Sequence, residues 1–159
     1  MPFGSLRRVC AALVIALAAP ACGASPAAPP QTGPVRLTAH VNRIQVTPGA
    51  TAVATFRLEN VTANTVTLNF GSSCQILPFI VKRPANQVVY PAGGGWACAQ
   101  VLTSITLPPH GVTVREITVT SGAQAFDLVA LPPGDYAFYA RVESVEYTLE
   151  SERVALQVL

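Results

Sequence analysis

The chain has 159 residues, of which 50% are hydrophobic and 11% charged, and its formal net charge is +2. Arg7 and Arg8 account for that excess, because without them the 10 basic residues fall to 8, equal to the 8 acidic residues. The rest of the chain has no basic stripe of the kind that nucleic-acid-binding proteins carry, so nucleic acid is excluded as a partner.

The first predicted element is a secretory signal peptide over residues 1–21. Arg7-Arg8 precedes an apolar run over residues 9–19, and Ala19-Pro20-Ala21 supplies small residues before a cleavage point. The apolar run is too short to span a bilayer, which takes about 20 residues. We therefore expect an extracytoplasmic protein.

Cys22 follows the expected cleavage point, and two processing routes are open. A general signal peptidase would leave Cys22 as the first residue of a secreted protein. The site also resembles a bacterial lipobox, whose cysteine is acylated. Residues 22–34 are uncharged and rich in Pro, Ala and Gly, as a flexible tether is. We predict lipidation of Cys22 and anchoring to the cell membrane or outer membrane, with secretion as the outcome if Cys22 is not acylated.

Alternation of apolar and polar residues runs through residues 35–159 and predicts one domain of half-buried β-strands. Pro and Gly turn signals separate the alternating segments, and no later segment has a helical apolar stripe. The sequence therefore predicts an all-β fold, an immunoglobulin-like antiparallel β-sandwich of about seven to nine strands. The inward residues of the clearest segments are Ala52, Ala54, Phe56, Leu58; Val66, Leu68, Phe70; Tyr136, Phe138, Ala140, Val142; and Val154, Leu156, Val158.

The alternation changes phase at two places. The first break lies at Asn42-Arg43, and it predicts a β-bulge at which the first strand crosses between sheets. A similar break lies between Val114 and Ile117, and it predicts a second irregularity of the same kind.

Two cysteines, Cys74 and Cys98, remain after Cys10 leaves with the signal and Cys22 serves as the anchor. Two cysteines in an oxidising compartment most simply form one disulfide. The alternative is a metal or redox site, but the pair has no Cys-x-x-Cys spacing and no histidine close in sequence. The predicted bridge would stabilise the fold by about 3 kcal/mol.

Residues suited to catalysis or metal binding are few. His40 lies on a strand face opposite Val41 and His110 in a Pro-Pro-His-Gly turn, so we expect both at the surface. No Gly-x-Ser-x-Gly elbow is present. Four late glutamates lack the interleaved Asp, Asn and Gly of a calcium loop, and we expect them to be solvated: Glu143, Glu146, Glu150 and Glu152. The prediction is no enzyme, no cofactor and no metal.

A series of short motifs resembles the intracellular proteinase inhibitor (BsuPI) family. They occur in order over roughly residues 47–159: Phe56-Arg57-Leu58-Glu59-Asn60, Thr65-Val66-Thr67-Leu68-Asn69-Phe70, Ile80-Val81, Trp96, Leu107-Pro108-Pro109-His110-Gly111 and Leu131-Pro132-Pro133-Gly134-Asp135-Tyr136. The resemblance implies a sandwich fold and a non-catalytic protein-binding module, with a serine protease as the candidate partner. The family is named for a cytoplasmic inhibitor, whereas this chain carries an export signal.

Two loops are the candidate partner-binding segments. Residues 71–78 include Gln75, Ile76 and Leu77, and residues 90–96 run from Tyr90 to Trp96 beside Cys98. The predicted disulfide would bring both loops together, and Tyr and Trp are enriched at interface hot spots. The other interpretation of Trp96 is packing into the core next to the disulfide. The alternative to an inhibitor is a structural or assembly lipoprotein of the bacterial envelope. The sequence indicates no oligomeric state.

Overall fold

The computed structural model describes residues 30–122 and 128–159. The predicted signal peptide, Cys22 and the tether up to residue 29 lie outside the described residues. Within them the chain forms twelve β-strands and one 3-10 turn at Ala92–Gly94. The strands are β1 Val35–Val41, β2 Gln45–Val46, β3 Thr51–Asn60, β4 Val66–Phe70, β5 Leu77–Lys82, β6 Gln87–Tyr90, β7 Thr103–Leu107, β8 Val112–Ser121, β9 Leu128–Leu131, β10 Gly134–Glu143, β11 Thr148–Glu150 and β12 Val154–Val158.

The predicted all-β fold is confirmed as a sandwich of two main sheets. One sheet has the order β1-β3-β8-β9, and the other has the order β2-β12-β10-β5-β6 with β11 also paired to β10. A separate ribbon pairs β4 with β7. The strands outnumber the seven to nine expected because β2 has only two residues and β11 three, too few for alternation to reveal, and the four-residue strands β6 and β9 do not alternate between buried and exposed positions. Most pairings are antiparallel, but β2–β12 and β8–β9 are parallel.

Inward residues of both sheets fill the core between them, as the alternation predicts. Ala54, Phe56 and Leu58 of β3 are fully buried, and Tyr136 and Phe138 of β10 pack against them from the other sheet. Burying one side chain of the size of Phe56 contributes about 1.5–3 kcal/mol. The core therefore rests on the period-two pattern of the long strands.

The outer face of the larger sheet carries a second apolar cluster that the alternation did not predict. Ala137 and Tyr139 belong to the outward set of β10, yet both are buried together with Phe79 and Val81 of β5. The rings of Phe79 and Tyr139 stack with their centroids 5.1 Å apart. The guanidinium group of Arg141 lies 5.5 Å from the Phe79 centroid and 5.6 Å from the Tyr139 centroid. Stacked side chains thus shield this outer cluster from water.

The break predicted at Asn42-Arg43 is confirmed as a crossing between sheets. β1 pairs with β3 in the first sheet, and β2 pairs with β12 in the second. The side-chain oxygen of Asn42 accepts a hydrogen bond from the Val53 N–H at 2.9 Å, and the Asn42 N–H donates to the Val53 carbonyl at 3.1 Å. These two bonds hold the end of β1, and the chain changes sheets after them without a bulge in the β1–β3 ladder.

The prediction of an irregularity between Val114 and Ile117 is wrong. β8 pairs with β3 in unbroken register from Val112, opposite Glu59, to Thr120, opposite Thr51. The apolar pattern changes phase because Val114 lies on the outer face and is 51% exposed, whereas Ile117 lies on the inner face and is buried. The feature is therefore an exposed apolar strand face rather than a bulge.

One end of the sandwich is organised by a buried side chain, Asn60. Its amide nitrogen donates to the carbonyl oxygens of Asn64, Leu107 and Pro108, and its amide oxygen accepts from the N–H and hydroxyl of Thr62. These bonds join the turn after β3 to the turn before β8. They therefore fix where β8 begins.

Across residues 30–122 and 128–159, none of the helical structure is both long and apolar enough to cross a membrane.

Candidate functional site

A disulfide between Cys74 and Cys98 joins two loops at one side of the sandwich, as predicted. The Cα atoms of the two cysteines lie 5.5 Å apart, and 24 residues separate them in sequence. One loop, residues 71–76, connects β4 to β5, and the other, residues 91–102, connects β6 to β7. We call these two segments the bridged loops.

Hydrogen bonds brace the bridged loops against each other beside the disulfide. The Ser73 N–H donates to the Ala99 carbonyl at 3.0 Å, and the Ala99 N–H donates to the Ser73 hydroxyl at 2.9 Å. The Thr103 hydroxyl donates to the Ser72 carbonyl at 2.7 Å. A covalent link and three hydrogen bonds therefore hold the segment around Ala99 to the first loop.

Trp96 lies close to Cys98 in sequence, but its ring does not pack in the core between the two sheets. It packs against the outer cluster instead. Its ring meets Tyr90 edge to face at 5.4 Å and Phe79 edge to face at 6.5 Å, both between ring centroids. The side chain is half-buried against the outer cluster. Its buried Nε1–H has no hydrogen-bond partner within residues 30–122 and 128–159. Packing, and not a polar contact, therefore holds Trp96.

Four of the five predicted partner-binding residues line one groove of about 360 Å³. Gln75, Ile76 and Leu77 form one part of its wall together with Trp96, whereas Tyr90 lies against the Trp96 ring and not on the wall. The groove is further lined by Ser73, Cys74, Ala97, Ile105, Thr113, Val114 and Arg115. We call it the edge groove, because three of its lining residues belong to β8.

Two exposed apolar residues beside the disulfide are not among the partner-binding residues predicted from the sequence. Leu102 is 87% exposed and Val101 is 50% exposed, and both follow the braced residue Ala99. The Val101 N–H donates to the Ala99 carbonyl at 3.0 Å, so the backbone makes a tight turn there. The signal available in the sequence is the apolar pair itself, which lies between Cys98 and the residues that form β7.

Both histidines lie at the surface, as predicted. His40 is exposed on β1, and His110 is exposed in the turn between β7 and β8. His110 has a φ of 56°, which is uncommon for a residue other than glycine. Its N–H donates to the Thr62 carbonyl at 3.3 Å, a bond that holds the turn.

Three of the four late glutamates make structural contacts. Glu146 accepts hydrogen bonds from the backbone and side-chain nitrogens of Asn69, Glu150 pairs with Arg141 at 2.9 Å, and Glu152 accepts from the Ala39 N–H. Glu143 is exposed at the end of β10. No group of three or more metal-ligating side chains is found in the part of the chain that the structure describes.

The edge groove and the bridged loops present the cationic side chain of Arg115 and apolar surface. The described residues that line the groove do not combine a nucleophile with a general base. Arg115 lines the groove, and a hydrogen bond from Gln75 Nε2 to the Ser104 carbonyl at 3.3 Å holds its rim. Neither histidine lines it. What the arrangement offers a partner is shape, exposed backbone and apolar contact.

Comparisons with solved structures give distant similarities. The sporulation control protein Spo0M from Bacillus subtilis is 13% identical at a TM-score of 0.45, over 80% of this chain and 50% of that one. A β-glucosidase, EmGH1, from Erythrobacter marinus is 10% identical at a TM-score of 0.43, over 79% and 15%. The alkylpurine DNA glycosylase AlkC from Pseudomonas fluorescens is 12% identical at a TM-score of 0.41, over 79% and 30%. The chain thus spans at most half of these proteins.

The comparison with protein families gives a match over most of the domain. No curated protein matches the chain significantly. The family described as BsuPI, intracellular proteinase inhibitor, matches residues 39–148, a segment that contains both cysteines of the disulfide and most of the strands. Because this match covers well over half of the sequence, the chain belongs to the BsuPI (intracellular proteinase inhibitor) family.

Proposed function

We propose that this protein is an exported, lipid-anchored member of the inhibitor family that binds and inhibits a serine protease. Membership of the family supports a proteinase as the partner. The observation that carries the proposal is that the bridged loops, with their disulfide, lie inside the matched segment, residues 39–148. The family's matched segment thus includes an exposed surface that a disulfide cross-links.

The covalent chemistry of the cysteines supports the proposed extracytoplasmic location. Disulfides form and persist outside the reducing cytoplasm, so a Cys74–Cys98 bridge fits an exported protein. The same conclusion is supported by the signal-like residues 1–21. Acylation of Cys22 would anchor the domain, and the uncharged residues 22–34 would let it stand away from the membrane.

The inhibitory contact is assigned to the turn around Val101 and Leu102. An inhibitor binds tightly when its contact segment is already ordered, because little conformational entropy is then lost on binding. Ala99 is held by its two hydrogen bonds to Ser73, and Leu102 projects with 87% of its surface exposed. The Leu102 side chain fits an apolar specificity pocket, so the target class is a protease that prefers an apolar residue.

The direct test is a titration of the mature chain, carrying Cys22→Ser for solubility, against subtilisin-like, chymotrypsin-like and trypsin-like proteases. We expect inhibition of a protease with an apolar pocket, and a loss of about thirtyfold in Leu102→Asp, as for removal of one interface hot spot. Val145→Asp is the matched control, because Val145 is 80% exposed in the turn between β10 and β11. Full activity of every protease at micromolar protein would contradict the proposal.

The lipid anchor is tested separately. Mass spectrometry of the membrane-extracted protein is expected to show an acylated Cys22 as the first residue, and Cys22→Ser is expected to move the protein to the soluble fraction. An unmodified Cys22 in membrane-extracted protein would overturn the anchor and leave the inhibitor proposal standing.

A second candidate function, a structural or assembly lipoprotein of the envelope, is favoured by one observation. The first half of β8 has no neighbouring strand on one side among the described residues. Cross-linking and pull-down from membranes separate the candidates. A stable co-purifying partner without protease inhibition would support assembly, whereas a co-purifying protease would support inhibition.

A further inference from the structure

The sandwich is open along the first half of β8. β9 pairs only with residues 118–121 of β8. Residues 112–117 therefore have β3 on one side and, within residues 30–122 and 128–159, no strand on the other. A strand edge of this kind exposes a row of unpaired N–H and C=O groups.

The register of β8 identifies these backbone groups. The Asn60 N–H donates to the Gly111 carbonyl at 2.9 Å, so the carbonyl of Gly111 points towards β3. The direction of the backbone groups alternates along an antiparallel strand. The residues whose N–H and C=O groups point away from β3, into the open side, are therefore Val112, Val114 and Glu116.

This edge lacks several of the devices by which sheets block further pairing. Natural edges carry charged side chains, above all lysine, or proline or bulges, or are covered by another element. Residues 112–117 contain neither proline nor lysine, their charged residues are Arg115 and Glu116, and their register with β3 is unbroken. Val112 and Val114 are 38% and 51% exposed on the outer face. β-branched side chains in this position provide cross-strand contacts to an added strand.

The edge groove lies directly against this strand edge. Thr113 and Arg115 share the inner face of β8 with the buried Ile117, because side chains alternate along a strand. Both line the edge groove, and its other walls include Ile76 and Trp96. Alternate side chains of a strand added to β8 would therefore enter the groove, and the remaining ones would lie on the outer face beside Val112.

The tether of this chain is not suited to occupy the edge. Gln31 bonds to the backbone N–H and C=O of Leu37 and to the carbonyl of Glu150, so the described start of the chain is fixed at β1. β1 is the opposite edge of the same sheet, two strands away from β8. Residues 22–34 are also rich in proline, which cannot donate to a ladder. Neither the described start of the chain nor its proline-rich tether therefore suits the edge, and we take the occupant to be a segment of another molecule.

We propose that residues 112–117 of β8 bind an extended segment of a partner protein as an added β-strand. Main-chain hydrogen bonds to Val112, Val114 and Glu116 would supply affinity, and the edge groove would select the side chains. Arg115 is the one charged residue among the described residues that line the groove, so it selects a segment with a carboxylate among apolar side chains. The site uses other residues than Val101 and Leu102 and stands apart from protease inhibition.

The test is a selection of random dodecapeptides, displayed on phage, on the mature chain carrying Cys22→Ser. We expect enriched peptides with alternating apolar residues, an acidic residue and no central proline. Val114→Pro is expected to weaken their binding about tenfold or more, because one outward N–H is lost. Proline is tolerated where the N–H of an edge strand faces outward, so the fold is retained. Val114→Thr keeps the N–H and is the matched control, expected to bind normally.

Two further measurements decide the outcome. Arg115→Glu is expected to disfavour the acidic peptides and, in a new selection, to enrich basic ones. Peptides N-methylated at the alternate amides that face β8 are expected to lose binding, whereas methylation of the other amides is tolerated. This comparison tests the added-strand geometry even if Val114→Pro does not fold. No enrichment, proline-rich binders, or binding unaffected by either backbone change would overturn the added-strand site. Leu102→Asp is tested by protease inhibition and Val114→Pro by peptide binding. Failure of one proposal therefore does not imply failure of the other.

Discussion

The side-chain nitrogen of Asn60 lies 2.9 Å from the carbonyl oxygen of Pro108, and this bond joins two turns that are far apart in sequence. Asn60 is fully buried, and five hydrogen bonds use both ends of its amide. A buried carbonyl that loses its donor costs about 1–3 kcal/mol. The Asn60 side chain therefore contributes, beside the backbone bonds of the same turns, to fixing the start of β8 and with it the open strand edge.

We expect Asn60→Leu to lower the free energy of unfolding by about 2–4 kcal/mol, because the side chain fills the space but leaves carbonyls and N–H groups without partners. The measurement is urea denaturation followed by circular dichroism. Gln45→Ala is the control, since Gln45 loses only one exposed bond, to Gln157, and is expected to change stability by less than about 0.5 kcal/mol. An equal effect in the two variants would contradict the role of Asn60.

Trp96 is expected to stabilise the protein by packing alone. Because its Nε1–H has no partner in the described part of the chain, Trp96→Phe removes no hydrogen bond and is expected to cost less than about 1 kcal/mol. Trp96→Ala uncovers Phe79 and Tyr90, and is expected to cost about 2 kcal/mol. Denaturation followed by circular dichroism gives both values. A loss in Trp96→Phe as large as in Trp96→Ala would reveal a polar role for the indole.

The long core strands could be predicted from the sequence because one face of each lies on the core. In β3 the buried Ala54 and Phe56 alternate with the more exposed Thr55 and Arg57, which is the pattern that period-two analysis detects. Alternation does not predict burial correctly where both faces of a strand are covered. The pattern of β10, with Tyr136 and Phe138 inward, predicts the solvent side for Ala137, but the Phe79 and Tyr139 rings make that side a second apolar layer.

The candidate site was only partly predictable, for a different reason. Cysteine counting identified the Cys74–Cys98 pair, and the disulfide then implied that the loops around Gln75 and Trp96 meet. The other wall of the edge groove comes from Arg115 on β8, which is distant in sequence and reaches the groove through the sheet order. No local sequence pattern predicts that β8 lies next to the two loops in the fold. The change of phase between Val114 and Ile117 is visible in the sequence, but it predicts an irregularity and not an exposed valine on an unbroken strand.

The disulfide is expected to stabilise both the fold and the proposed inhibitory turn. The double variant Cys74→Ser/Cys98→Ser should lose about 3 kcal/mol, the value for closing a loop of this size. Inhibition should weaken as well, because Ala99 would keep only its hydrogen bonds to Ser73. Denaturation with and without reductant measures the first effect. Reductant should destabilise the wild type to the level of the variant and leave the variant unchanged; sensitivity of the variant would contradict this assignment.

Glu146 is expected to make stability depend on pH in the acidic range. Hydrogen bonds from the backbone and side chain of Asn69 hold the pKa of Glu146 below its ordinary value of 4.5. A carboxyl whose pKa is lowered by folding contributes stability above its unfolded pKa, and that contribution is lost as the pH falls through its folded pKa. Because Glu146 is exposed, the contribution is small.

The measurement for Glu146 is urea denaturation of wild type and Glu146→Gln at a series of pH values from neutral to acidic. Glu146→Gln should be less stable than the wild type at neutral pH, and the difference should narrow as the pH falls below 4.5, because the protonated glutamate loses its charged contact with Asn69. Glu143→Gln, at the exposed end of β10, is the matched control for removing one acidic charge from the same hairpin. A difference between wild type and Glu146→Gln that stays constant down to the lowest pH would show that the Asn69 contact does not depend on the charge of Glu146.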